Sequence, residues 1–352
     1  MLSTVVLFSF AYLFLLSGAL FLFIFVRRLF VQARERRDRA VYEAMERDLL
    51  EVLTDADPVR AAEEFARRHR GRARVLKALL VAYREALLGR ALEPLRIVFE
   101  RTIKARCRRE LRSPWLATRL QNVRLFVDFS SPAETLDLVS LLHDKPVVRL
   151  AALNALTGIA SRDTLGIIFD IFEKDPEPNL YAYSNIFHSL GPRIEPFARE
   201  SLRRDLPVAK RALLVEMAGR LQLRGLYGDI VRLAGHPDQE LRIRVARALG
   251  HLLVPASARA LAGLAADTDW AVQAQALRSL GYLQDWKTLP LLTRGLFSPN
   301  WHVRHNAGFA LAAFGLVGVL ELREIAAQKA DRFAADMAAM VLDSVILTGG
   351  PA

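Results

Sequence analysis

From about residue 236 onward the apolar and polar positions fall into a pattern that returns every 31 residues. Asp238, Asp269, Asn300 and Asp331 are spaced by that interval, and each is a residue type that caps a helix N-terminus through its side-chain oxygen. Three positions later comes an apolar residue (Leu241, Val272, Val303, Ala334). Val245, Ala276, Ala307 and Ala338 follow, then Leu249, Leu280, Leu311 and Leu342. Positions i, i+4 and i+8 share one helix face, so each copy predicts a capped helix with one apolar stripe. The chain is then expected to turn, at Gly250 and Gly281 in two copies, before a second apolar set such as Leu289, Leu292 and Leu296. Each copy reads as a helical hairpin. One hairpin cannot bury its stripe alone, but stacked neighbours share a continuous core.

The same unit recurs upstream with drifting length, over Lys145 to Leu153, Tyr181 to Gly191 and Val208 to Gly219, and a further copy begins near Trp115. Pro146, Pro176, Pro178, Pro207, Pro237 and Pro299 punctuate the loops between copies. The last copy, Asp331 to Leu347, has only its first helix and reads as a terminal cap, followed by a tail over 348–352. Residues 113–347 are thus expected to form an all-α solenoid. Arg149, Arg242 and Arg304 each follow the first apolar position and are expected to tie adjacent repeats together.

The first 26 residues follow a different pattern: 21 are apolar and none is charged. Such a stretch crosses a ~30 Å hydrocarbon core at ~1.5 Å per residue, and it predicts a single transmembrane helix over 1–26. A cleaved signal peptide would need its positive charges before the apolar run and a small-residue cleavage site after it. Here the charges come afterwards, as Arg27, Arg28, Arg34, Arg36, Arg37 and Arg39. Basic residues flanking a span stay on the cytoplasmic side. The expected topology is N-terminus outside, with the rest of the chain in the cytoplasm at the inner membrane of a bacterium. Val41, Met45, Leu49 and Leu53 form another i, i+4 stripe, so residues 27–56 are expected to be a basic helix that docks on the solenoid. Between them and the recognisable repeats, residues 57–112 hold helical segments at about 72 to 88 and 94 to 110, with basic runs from Arg67 to Arg74 and from Lys104 to Arg109.

The residues Asp267 to Gly281, followed by Asp285 and by Leu289-Pro-Leu-Leu with Leu296, resemble the short HEAT-like repeat of phycobilisome lyases. The resemblance is strongest over 236–342 and extends to 143. It implies an α-solenoid, a fold found in enzymes, adaptors and regulators alike.

Composition narrows the classes. The 352 residues are 52% hydrophobic, which excludes low-complexity disorder. A lone Cys107 excludes a disulfide-stapled module and a cysteine zinc cluster. The net charge of +11 is local: Arg27 to Arg112 holds 23 basic and 14 acidic residues, a net of +9, and the rest of the chain after it holds 26 and 24, a net of +2. Nucleic acid attracts such charge, and some DNA-repair glycosylases are HEAT-like. Anionic lipid headgroups attract juxtamembrane arginine at ~1 kcal/mol each, which accounts for the position of the charge as well as its sign. The acidic cytoplasmic face of a membrane protein would serve too.

Catalytic signals are few. No Gly-x-Gly or Gly-Lys-Ser/Thr loop is present to cradle phosphates. Deoxyhypusine hydroxylase, another HEAT-like protein, holds iron through His-Glu pairs, whereas none of the seven histidines here is followed by Glu. His302 and His305 share one helix face at a spacing that suits a metal, with no third ligand nearby. Cys107 sits among Arg106, Arg108 and Arg109, which would lower its pKa if they converged on it; side chains one position apart on a helix point elsewhere. Trp270 and Trp301 repeat at the 31-residue interval, offering either an aromatic ledge for a partner or packing between repeats.

The expected function is a non-enzymatic, membrane-anchored scaffold that binds a protein partner through its solenoid. The context is a bacterial envelope assembly such as a polysaccharide-synthesis or secretion complex. Trp270, Trp301, His302 and His305 are the candidate partner-binding residues and the six arginines the membrane-surface residues. No catalytic residue, metal, cofactor, nucleic acid or small-molecule substrate is expected. The alternatives are an enzyme or enzyme subunit of the HEAT-like lyase or hydroxylase type acting on a membrane-associated substrate, and a nucleic-acid-binding HEAT-like protein.

Overall fold

The computed structural model describes residues 2–87, 92–129, 131–328 and 330–347; the side chains of 2–15, 30, 31, 33–35, 85, 128, 346 and 347 lie outside the described ones. Helices and short 3-10 turns account for the regular structure, and no strand occurs among the described residues. The tail over 348–352 lies outside them. The chain forms two compact units, Met1–Gly158 and Ile159–Ala352. The boundary falls inside the stretch 113–347.

The first unit opens on one continuous helix, Leu2–Thr54, of 53 residues. Its C-terminal part packs on the helices Pro58–Arg68 and Ala73–Ala86 through Met45, Leu49 and Val52, all buried. The expected stripe is therefore right in face and shifted at its end, from Leu53 to Val52. By contrast every residue from Leu16 to Leu29 is exposed. Among the described residues no helix is long and apolar enough to cross a membrane. The spanning helix expected over 1–26 thus lacks support from the described residues, and its first fifteen side chains lie outside them.

Next, Asp57 caps Pro58–Arg68 by accepting from the Arg60 amide at 3.2 Å. Helices Glu93–Thr102 and Lys104–Glu110 replace the single expected segment 94–110, with a break at Ile103. Phe99 lies at the centre of this core, edge-on to Phe126 at 5.5 Å and stacked on Phe129 at 5.1 Å. Beside it is a buried polar network. The Lys77 ammonium donates to Glu110 Oε2 and to Asn122 Oδ1, each at 2.6 Å, and Asn122 Nδ2 donates to the Thr118 carbonyl at 2.7 Å. Arg106 donates to the other Glu110 oxygen at 2.7 Å. Burial alone would raise the Glu110 carboxyl, but the hydrogen bonds from Arg106, Lys77 and Asn122 outweigh it and hold the carboxyl down at about 2. Helices Leu116–Phe129 and Pro146–Ile159 follow. They are tied by Arg119, which forks onto both Asp144 oxygens at 2.6 and 2.9 Å and also donates to the carbonyls of Ser113 and Pro114.

In the second unit the 31-residue period governs packing as well as capping. The first helices of successive hairpins, Val208–Arg220, Gln239–Leu252, Trp270–Leu283 and Trp301–Ala312, lie side by side. The stripe residues Leu241, Val245, Leu249, Val272, Ala276, Leu280, Val303, Ala307 and Leu311 are all buried. In the last helix, Arg332–Leu347, the third stripe position passes from Leu342 to the fully buried Val341.

Gly250 and Gly281 do not turn the chain. With Gly219 they form a 31-residue series inside these helices, each facing the next helix: a Cβ at 219 would lie 2.9 Å from Ala248 Cα, at 250 2.7 Å from Ser279 Cβ, and at 281 2.8 Å from Ala310 Cα. The absent side chain is what permits that approach. The turn itself comes three residues later, where Gln222, Leu253 and Gln284 hold φ of 52°, 50° and 49°, a conformation costing an L-residue ~1–2 kcal/mol. Gln284 offsets part of the cost by donating to the Ala313 carbonyl at 2.6 Å.

Candidate functional site

Caps and hinges of this kind fix where the candidate residues sit. Asp269 accepts from the amides of Ala271 and Val272 at 2.8 and 3.3 Å, Asn300 from His302 at 2.8 Å, and Asp331 from Phe333 and Ala334 at 2.9 and 3.0 Å. Asp238 caps its helix in the same way, through Leu241 at 2.8 Å. Trp270 and Trp301 are consequently the first helical residues of consecutive repeats.

All four candidate residues come together. Trp270 stacks on His302 of the next repeat, with ring centres 5.0 Å apart and planes at 21°. His302 meets Trp301 edge-on at 5.1 Å, Trp301 lies 4.8 Å from His305, and His305 lies 4.7 Å from Phe309. The result is an unbroken ribbon of five rings across two repeats. Such contacts stabilise by ~0.5–1.5 kcal/mol each beyond area burial. The rings do pack one repeat on the next, and they still face outward: Trp270 is 45% exposed, Trp301 48% and Phe309 37%. The packing use of the tryptophans is thus present, and it leaves much of their ring surface exposed.

The ribbon's repeat also borders a groove of about 370 Å³ lined by Phe297, Ser298, Pro299, Arg304, Asp331 and Phe333. Arg304 is buried, donates to the carbonyls of Ser298 and Pro299 at 2.8 and 2.9 Å, and lays its guanidinium 5.3 Å over the Phe333 ring. Phe333 itself is 68% exposed. Two repeats earlier, Arg242 makes the same pair of carbonyl bonds, to His236 and Pro237, and forks onto Asp267 at 2.8 and 3.0 Å. Gln273 fills that position in the repeat between, donating to the Asp267 carbonyl at 2.5 Å. The tie expected of Arg242 thus reaches the loop that leads into the next repeat, whereas Arg304 ties to its own loop and to Phe333. Arg149 occupies the corresponding position in the first unit.

Phe309 and Phe333 were not legible as site residues. Phe309 lies two turns beyond Trp301 on one face, a spacing that in sequence reads as ordinary stripe. Phe333 is displaced by one position from the tryptophans relative to its cap.

In the first unit, the arginines Arg27, Arg28, Arg36, Arg37 and Arg39 are exposed on the long helix, and the Arg34 side chain lies outside the described residues. Arg39 pairs with Glu43 at 3.2 Å, while Arg27, Arg28, Arg36 and Arg37 form no ion pair among the described residues. Cys107 is buried, and burial pushes its thiol up to about 11 despite the nearby Lys77 and Arg106 charges. The flanking arginines do not converge on it: Arg106 turns to Glu110, and Arg108 to Asp137. A thiol so placed is almost wholly protonated at neutral pH and a poor nucleophile. Among the described residues no group of three or more His, Cys, Asp and Glu side chains is placed to hold a metal, and His302 and His305 spend their rings on the ribbon.

Residues 257–343 match the family model described as HEAT repeats. That stretch is similar to HEAT repeats. It contains the ribbon and the three ring-bearing caps. No curated protein matches the chain. Among solved structures, the complex of CpcE and CpcF of phycocyanin lyase from Nostoc sp. PCC7120 is similar at 17% identity, covering 68% of this chain and 92% of that one with a TM-score of 0.31. Human deoxyhypusine hydroxylase in complex with glycerol is 17% identical, covering 88% and 97% with a TM-score of 0.30. Kap121p bound to Pho4p is 13% identical, covering 86% of this chain and 41% of that one with a TM-score of 0.48.

Proposed function

We propose that the protein is a membrane-anchored scaffold whose HEAT repeats bind a protein partner through the aromatic ribbon. The observation that carries this reading is the half-exposed run Trp270, His302, Trp301, His305 and Phe309. Exposed tryptophan and histidine rings held rigid by mutual stacking lose little conformational freedom on binding, and tryptophan is enriched among the residues that dominate interface energies. The groove at Phe333 and Arg304 adds an apolar slot with a cationic floor. A partner presenting an apolar side chain beside a carboxylate or carbonyl would fit it.

The anchor belongs to the same proposal. Leu20 to Val26 are seven consecutive apolar residues, all exposed on the long helix, and water is an unfavourable solvent for so much contiguous apolar surface. Insertion of residues 1–26 into a bilayer would cover them. The arginines from Arg27 to Arg39 would then meet anionic headgroups on the cytoplasmic side and hold the HEAT repeats there. The setting we propose is a bacterial envelope assembly, such as a polysaccharide-synthesis or secretion complex, with no catalytic role for this chain.

Affinity capture from detergent-solubilised membranes tests the partner reading. The wild-type chain should retain one protein in near-stoichiometric amount, and Trp270→Ala/Trp301→Ala should lose at least about tenfold of it, since each hot-spot aromatic contributes ~2 kcal/mol or more. Equal recovery by both chains would sink the proposal.

A further inference from the structure

A second concavity, in the first unit, has the chemistry of an anion site. It encloses about 540 Å³, and its wall includes Arg67, Arg70, Arg101 and Arg106 against one carboxylate, Glu63. Glu63 is spent on Arg101, at 3.4 Å, and Arg106 is paired with Glu110. Arg67 and Arg70 have no ion-pair partner among the described residues. With Arg101 and Arg106 each offset by a carboxylate, Arg67 and Arg70 leave an excess of two positive charges at one cavity.

The floor carries a second, independent sign. His69 lines the same cavity, is 5% exposed, and places its Nε2 2.7 Å from Asp48 Oδ2. Its other ring nitrogen, Nδ1, is buried with no hydrogen-bond partner. A buried polar atom left unpaired in a folded protein calls for a ligand or a water to satisfy it. Burial alone would raise the Asp48 carboxyl, but its hydrogen bonds with His69 and Arg68 hold it below the usual range. With Asp48 engaged at Nε2, Nδ1 is the one ring atom of His69 left for a ligand or a water.

We propose that this cavity binds a phosphate-bearing anion carrying more than one negative charge, with Arg67 and Arg70 as its principal ligands and the unpartnered His69 Nδ1 in the same lining. Guanidinium forks match the geometry of phosphate oxygens and bind them in pairs. A lone carboxylate would leave half of that excess charge uncompensated, whereas a pyrophosphate or a phosphomonoester in the cavity neutralises it. The sequence hid the site by dividing it among the basic run 67–74, Arg101 and the run 104–109, which the helix packing brings to one cavity. The anion is either a soluble phosphate compound or the headgroup of a phospholipid. The site stands apart from the aromatic ribbon, so its failure would leave the scaffold reading intact.

The test uses the full chain in detergent, titrated in a calorimeter with inorganic pyrophosphate and, separately, with short-chain phosphatidylglycerol against short-chain phosphatidylcholine. Arg67→Ala/Arg70→Ala is compared with Arg193→Ala/Arg224→Ala, which removes equal charge from exposed positions in the other unit. One-to-one pyrophosphate binding, weakened at least about tenfold only by the first variant, supports the site with a soluble ligand. One-to-one binding of the phosphatidylglycerol and not of the phosphatidylcholine, weakened only by the first variant and with no pyrophosphate binding, supports it with a lipid headgroup. Arg67 and Arg70 are exposed, so their loss should leave the fold intact, and Arg67→Lys/Arg70→Lys should lie between wild type and the alanine variant. If neither readout depends on Arg67 and Arg70, the proposal is overturned.

Discussion

Replacing Lys77 by methionine is expected to lower the stability of the first unit by about 3 kcal/mol. The ammonium is buried and satisfies two acceptors at once, Glu110 Oε2 and Asn122 Oδ1. Without it the Glu110 carboxylate keeps Arg106 and Asn122 but loses a buried counter-charge, and Asn122 Oδ1 loses its donor. Breaking a buried pair from one side costs ~3–5 kcal/mol, and the lower end applies because a quarter of the Glu110 side chain remains accessible. Against a typical total of ~5–15 kcal/mol for a domain, that is a large fraction. Hydrogen exchange of the full chain reads it directly: amides in Ala73–Ala86 and Leu116–Phe129 should lose protection while those in Trp270–Leu283 do not. Lys77→Met/Glu110→Leu should recover much of the loss, because removing both charges leaves neither unpaired. The same network sets a pH dependence. A carboxyl held at about 2 against an ordinary 4.5 contributes stability that is fully present above the ordinary value and lost as pH falls toward the lower one. The wild-type unit should therefore soften between those two values, and Glu110→Gln should remove that component.

Gly281→Val is expected to destabilise the HEAT repeats by about 3 kcal/mol, the upper part of the range for overpacking a close contact. Even Gly281→Ala should destabilise, by about 1–2 kcal/mol. This reverses the usual sign, since alanine in place of glycine inside a helix ordinarily stabilises by ~0.5–1 kcal/mol. The reason is the neighbour: the new Cβ would lie 2.8 Å from Ala310 Cα and 2.9 Å from its Cβ, and the backbone of a packed helix has little room to yield. Gly263 in the helix Ser257–Leu264 has nothing within 4 Å of the corresponding position, so Gly263→Ala should stabilise by ~0.5 kcal/mol. Thermal unfolding of the two alanine variants should move in opposite directions. Displacing Trp301–Ala312 from Trp270–Leu283 also pulls His302 off Trp270, so the quenching of the Trp270 indole should change in Gly281→Val and not in Gly263→Ala.

The contrast between those glycines shows what the sequence exposed and what it concealed. The period, the caps Asp238, Asp269, Asn300 and Asp331, and the buried stripes were readable, because capping and helical periodicity are local and act within a few residues. Gly250 and Gly281 stand at the same period, yet their role depends on the backbone of the next repeat, and the residues that do turn the chain, Leu253 and Gln284, carry no turn signal. The Trp270 and Trp301 spacing was visible; the continuity of the ribbon was not, since it runs through His302 and His305, whose spacing suggested a metal as readily as a stack. Lys77, Glu110 and Asn122 are 33 and 45 residues apart, beyond anything periodicity records. The basic cavity was hidden in the same way, with its arginines assigned to separate runs until helix packing joined them.

The most direct test of the central claim, that the ribbon is where a partner docks, is site-specific photo-crosslinking in intact cells. A photoreactive amino acid at position 301 or 309 should capture one protein as a discrete adduct. The same residue at position 193 or 224, exposed in the same unit away from the HEAT-repeat stretch, should capture none. A discrete adduct from 193 or 224 with none from 301 and 309 would contradict the account.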